Sequence, residues 1–210
     1  MNRELGDVGL CRIIELLATV PHLAAGGVGD PCSPCSLGAI NLAVTGRLTD
    51  GVPPFMSRPI ARWVRGAQDT SPAEMRDSAA WRMLLPAAAN TGRRLERHDR
   101  RIVFNMMWRS YNTLQDTANA SGFGSLWADA AIRRGSGASL LEAAEGAQAA
   151  GWQAAGQAAK AVWAALSFDS CEQAGAASGL VFSTVGSPGG DCDPAVMLGQ
   201  MLSTRTLQPA

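Results

Sequence analysis

The run from Gln148 to Lys160 repeats a Gln-Ala-Ala-Gly/Lys unit three times and continues into Ala161-Val162-Trp163-Ala164-Ala165-Leu166. Alanine loses no side-chain entropy on entering a helix and tops the propensity scale, so this stretch is helical on its own account. It predicts one long Ala-rich helix over roughly Ser139 to Leu166, at the centre of a helical bundle. Trp152 and Trp163 stand 11 residues apart, three helical turns, so both rings should project from nearly the same side. The other side, with Ala144, Ala147, Gly151, Ala154, Ala158 and Ala165, lacks bulk and would admit a neighbouring helix closely. The two tryptophans then belong either to the core or to a ridge that docks a partner.

The remaining chain reads as helices separated by glycine and proline. An amphipathic helix is expected from about Glu4 to Val20, with Val8, Cys11, Ile14, Leu16 and Leu17 as its apolar side and Pro21 as its stop. Ala24–Asp30 is a Gly-rich loop. Ser33-Pro34 has the form of a cap followed by proline at the first helical position, opening a helix with Leu37, Ile40, Leu42 and Val44 that lasts to Gly46. After the turn-rich Thr49–Pro54, Ser57-Arg58-Pro59 opens another, with Ile60, Trp63 and Val64 inward. Ser71-Pro72-Ala73-Glu74 has capping-box form, and its helix should run to about Leu85, where Pro86 breaks or kinks it.

From about Arg93 to Thr117, Leu95, Ile102, Val103, Met106, Met107, Tyr111 and Leu114 follow the helical period. A short helix near Leu126–Arg134, a boundary at Gly135-Ser136-Gly137 and a last helix from about Pro194 to Thr204, capped by Asp193, complete the pattern. Leu180–Val185 has β-branched character, but a lone strand would have no partner for its backbone groups. The expectation is an all-α, irregular multi-helix bundle of about eight helices. Residues 1–210 are expected to form a single helical domain, with 1–134 and 138–210 as candidate sub-lobes within it.

Lys+Arg and Asp+Glu both total 18, so no overall field attracts nucleic acid or an anionic membrane. The balance conceals an excess between Arg58 and Arg109, where 11 arginines face five acids, a net of +6. The N-terminus lacks the apolar run of a signal peptide, and no stretch reaches the length of a membrane span. With five scattered cysteines, Cys11, Cys32, Cys35, Cys171 and Cys192, a reducing, cytoplasmic setting with free thiols is expected.

Reactive groups are few. Cys32-Ser-Pro-Cys35 has the spacing of a metal knuckle or redox pair, yet no second pair of ligands stands at matching spacing and no βαβ pattern surrounds it. No nucleophile elbow, phosphate loop or dinucleotide signature occurs. Neither a catalytic residue nor a cofactor is expected. Arg94, His98, Arg101, Asn105, Arg109 and Asn112 recur at three- and four-residue spacing, giving either a solvated helix face or a docking surface for carboxylates or phosphates. Arg58, Arg62 and Arg65 supply a second basic ridge.

Cys35-Ser36-Leu37, Gly46, Asp50, Pro54 and Ser57-Arg58-Pro59-Ile60-Ala61-Arg62-Trp63-Val64-Arg65, followed by the Ala/Trp run Gly151–Leu166, resemble a pattern in uncharacterised helical proteins of high-GC actinobacteria and their phages. The resemblance implies a phage or mobile-element setting and no particular reaction. The expected function is non-enzymatic: binding a macromolecular partner, such as a host defence complex that it inhibits, with Arg94, Arg101 and Arg109 and then Arg58, Arg62 and Arg65 as the contact surface. A protein partner is expected first, and nucleic acid is the alternative through the same arginines. A metal- or thiol-dependent enzyme using Cys32 and Cys35, and a structural oligomer or assembly accessory built on the Ala/Trp helix, are the competing readings.

Overall fold

The computed structural model describes residues 5–133 and 137–206. In chain order they form α1 (Asp7–Thr19), α2 (Ser36–Thr45), α3 (Arg58–Thr70), α4 (Ala73–Arg76), α5 (Ala79–Ala89) and α6 (Glu96–Thr113). There follow α7 (Gln115–Ala120), α8 (Gly124–Ile132), α9 (Gly137–Ala149), α10 (Gln153–Phe168), α11 (Cys171–Val185) and α12 (Pro194–Thr206). The only sheet among the described residues is an antiparallel pair of short strands, β1 (Gly29–Asp30) and β2 (Ser33–Pro34). The all-α expectation holds, and no described helix is long and apolar enough to cross a membrane.

Twelve helical segments replace the expected eight because three stretches read as single helices each divide, and Leu180–Val185 is the last part of α11. The Ala-rich stretch folds back on itself: Gly151 adopts φ +85°, a left-handed conformation, and α9 and α10 pack side by side. Trp152 therefore sits in the turn, not three turns below Trp163 on one face. Between Thr70 and Ala79, Ser71 is taken up in ending α3, its N–H donating to the Ala67 carbonyl. The capping box consequently does not form; α4 is one turn, and the Ser78 hydroxyl caps α5 by accepting from Trp81 N at 3.1 Å. Ser33-Pro34 is likewise strand, and the Cys35 thiol caps α2 by accepting from Gly38 N at 3.2 Å. Pro86 does not end α5; burial of Leu85, Ala88 and Ala89 holds its last turn. The expected boundary at Gly135-Ser136 lies outside the described residues. Asp193 caps α12 as expected, accepting from Ala195 N at 2.8 Å.

The centre of the bundle is α11, which packs against α3, α10, α6 and, more lightly, α12. Gly66 of α3 lies against the Glu172 carbonyl and, at 2.7 Å from an added Cβ, the Ala176 amide; Gly175 and Gly179 lie equally close to the α3 backbone at Trp63 and Ala67. At Gly66 and Gly175 no side chain separates the helices, so the backbones meet directly. The Thr70 hydroxyl reaches the Ala176 carbonyl at 3.1 Å, and the Ser183 hydroxyl donates to the Thr70 carbonyl at 3.0 Å. This interface joins helices on opposite sides of the 134/138 division. Around it pack aromatic pairs: Trp63 with Trp81, centroids 6.4 Å apart, and Tyr111 stacked on Trp127 at 4.1 Å.

A methyl at Gly66 has no room to escape, so Gly66→Ala should destabilise the protein by about 3 kcal/mol. Gly46→Ala, at a helix end with φ +71° and open space around it, should cost about 1 kcal/mol. Urea unfolding of the two variants measures the difference.

Candidate functional site: an apolar groove and an arginine face

α1 carries apolar residues around more than one side, and its neighbours cover only part of them. Ile13 and Leu17 are buried, whereas Val8, Cys11 and Ile14, expected on the inner side, face solvent. α5 packs against both α1 and α12, and between those two helices a groove of about 890 Å³ opens. Its apolar lining includes Leu10, Ile14 and Leu17 of α1, Met83 and Pro86 of α5, and Leu202 of α12. Met83 is 78% exposed and Ile14 55%. Large side chains this open usually occur singly; here two belong to one concavity. The surplus of apolar residues on α1 was the available signal, but choosing one helix face conceals it.

Polar groups at the groove hold its walls. The Arg82 guanidinium donates to the carbonyls of Leu17 at 2.8 Å, Val20 and Pro21 at 2.9 Å, satisfying the C-terminal end of α1, where a cation is also favoured by the helix dipole. It also donates to Asp77 at 3.2 Å. Asp77 in turn accepts from Leu23 N at 2.8 Å and lies 2.8 Å from His22 Nδ1. On the other wall, Arg205 of α12 donates to Asp99 of α6 at 2.8 Å. Asp99 is fully buried, and its second oxygen has no hydrogen-bond partner among the described residues. Asn90 accepts from Leu5 N at 2.9 Å. These groups are engaged within the chain, which leaves the groove floor with an apolar chemistry.

The six arginines singled out from the sequence separate into two sets. Arg58 pairs with Glu96 at 3.8 Å, and Arg65 reaches Glu172 at 3.4 Å and the Asp50 carbonyl. Arg109 bonds Gln200 at 2.8 Å and Asp191 at 2.9 Å, anchoring the loop before α12. Arg62, Arg94 and Arg101 are exposed, with no acidic partner within 4.0 Å among the described residues. In the α6 stripe His98 is the exception: it is half-buried, with Nε2 unpartnered. Arg97, which the three- and four-residue count from Arg94 passed over, is also exposed and unpaired.

The cysteine pair separates as well. Cys32 is exposed, while Cys35 is buried at the start of α2. Burial pushes the Cys35 thiol up, against the pull of the Gly38 and Leu37 amides, which disfavours the nucleophilic thiolate. Among the described residues no three His, Cys, Asp or Glu side chains group as metal ligands. Of the small-residue side expected to seat another helix, Ala144, Ala147, Ala158 and Ala165 are buried in the α9–α10 hairpin and its neighbours, whereas Ala154 is half-buried and Gly151, in the turn, is exposed.

The clamp at α1 has a pH signature. Burial raises the Asp77 carboxyl, but hydrogen bonds from His22, Leu23 N and Arg82, with the Arg82 charge, together hold it below the usual carboxylate range. Its contribution to stability is therefore complete above the ordinary value of 3.8 and lost as pH falls through the lower folded-state value. Urea midpoints measured from about pH 5 downward should fall less steeply for Asp77→Asn than for the wild type. The chain matches no protein-family model, no curated protein and no solved structure.

Proposed function

We propose that this chain is a binding protein, not an enzyme, and that it takes an amphipathic helix of a partner protein in the groove between α1, α5 and α12. The observation that carries this reading is the concavity itself: a volume of about 890 Å³ with Ile14 and Met83 open at its mouth. Helix-in-groove recognition uses apolar anchors at three- and four-residue spacing, and a channel flanked by two helices over a third suits that shape. The phage or mobile-element setting implied by the sequence resemblance makes a host protein the partner class, with inhibition of a defence complex as one form. A cytoplasmic location accords with this reading.

Burying Ile14 and Met83 against a partner would contribute about 1.5–3 kcal/mol each. Ile14→Glu/Met83→Glu should accordingly weaken partner binding at least about a hundredfold, with little change in melting temperature because both side chains are exposed. A photo-crosslinking residue at position 83, in cells that produce the protein, should trap a protein through a helical segment. Crosslinks that form from position 101 and not from position 83 would move the partner site to α6.

A further inference from the structure

The unpaired arginines gather beside aromatic rings that the groove does not use. Residues 97, 100, 101 and 104 recur at three- and four-residue spacing, so Arg97, Arg100, Arg101 and Phe104 share one face of α6. All three arginines are exposed, and the Arg100 guanidinium lies over the Phe104 ring, 5.9 Å from its centroid. Arg100 also pairs with Asp169, which brings the α10–α11 corner against this face. Phe168, the residue before that aspartate, is 70% exposed and meets Trp163 edge-on with centroids 6.0 Å apart. Arg62 is exposed on α3, which packs directly against α6.

The nearby acids do not neutralise this face. Asp99 is turned inward to Arg205, Glu96 pairs with Arg58, and Asp169 is matched by Arg100. Arg62, Arg97 and Arg101 are left as an outward cationic surplus with an open phenyl ring alongside. Guanidinium groups bind phosphate oxygens in bidentate geometry, and a ring with a free face stacks any base. Bases in a duplex are already stacked on one another, so only a single strand can use both features.

We propose that this face binds single-stranded nucleic acid, with phosphates on Arg62, Arg97 and Arg101 and a base stacked on Phe168. Fluorescence anisotropy of a labelled twenty-nucleotide oligothymidylate with the full chain tests it, beside a duplex of equal length. Log affinity should fall linearly with log salt at a slope of about −2 for three phosphate contacts. Arg97→Glu/Arg101→Glu should weaken single-strand binding at least about tenfold, and Phe168→Ala about tenfold, the latter leaving duplex binding unchanged. All three positions are exposed, and circular dichroism checks that the variants fold. Met83→Glu should bind the oligonucleotide like the wild type, which separates this face from the groove. No binding at low salt, or full binding by Phe168→Ala, overturns the proposal. Retention of polyglutamate without the oligonucleotide also overturns it and assigns the face to an acidic protein.

Discussion

The direct backbone contact between α3 and α11 sets the spacing of everything around it. Gly66, Gly175 and Gly179 each occupy a place where a Cβ would press on the opposite helix. Two helices this close leave no room for bulky side chains and are joined by dispersion and by the small Thr70 and Ser183 hydroxyls. With α11 held there, α10 and α6 pack on its remaining sides, and α3 carries Trp63 to Trp81 on α5. The groove is thus downstream of a glycine contact elsewhere in the fold, because α5 supports both of its walls.

The same packing produces two surfaces of opposite character. Around α5 the cations are drawn inward: Arg82 ties off the last carbonyls of α1, and Arg205 neutralises a buried aspartate. What remains outward is apolar. On α6 the reverse holds, since Asp99 is turned into the core and Arg97 and Arg101 on the outer side are left without a counter-charge among the described residues. A chain with equal numbers of acids and bases acquires a locally basic face in this way. Charge balance over the whole sequence is a poor guide to the field at one helix.

Much of the fold was legible because helix propensity and the three- to four-residue period are local. The inner sides of α3 and α6, the αL end of α2 at Gly46 and the Asp193 cap of α12 all depend on neighbours within one turn. The Ala-rich run was legible as helix but not as two helices, because alanine favours helix on both sides of Gly151 and only packing chooses to use that glycine as a turn. The spacing Gly175-Ala-Ala-Ser-Gly179 was present as a close-packing signal, yet it names no partner helix.

Of the candidate sites, the arginine stripe on α6 was visible as a pattern, while the pairing that occupies Arg58, Arg65 and Arg109 was not, since their partners lie 15 to 107 residues away. The groove was hidden for a related reason: periodicity shows that α1 is apolar, not which of its apolar residues another helix will cover. The helical character of the chain, its charge distribution and most helix ends follow from short-range chemistry and can be read along the sequence. Which glycines meet, which arginines stay unpaired and which apolar residues remain open is set by packing, because each depends on distant elements competing for the same surface.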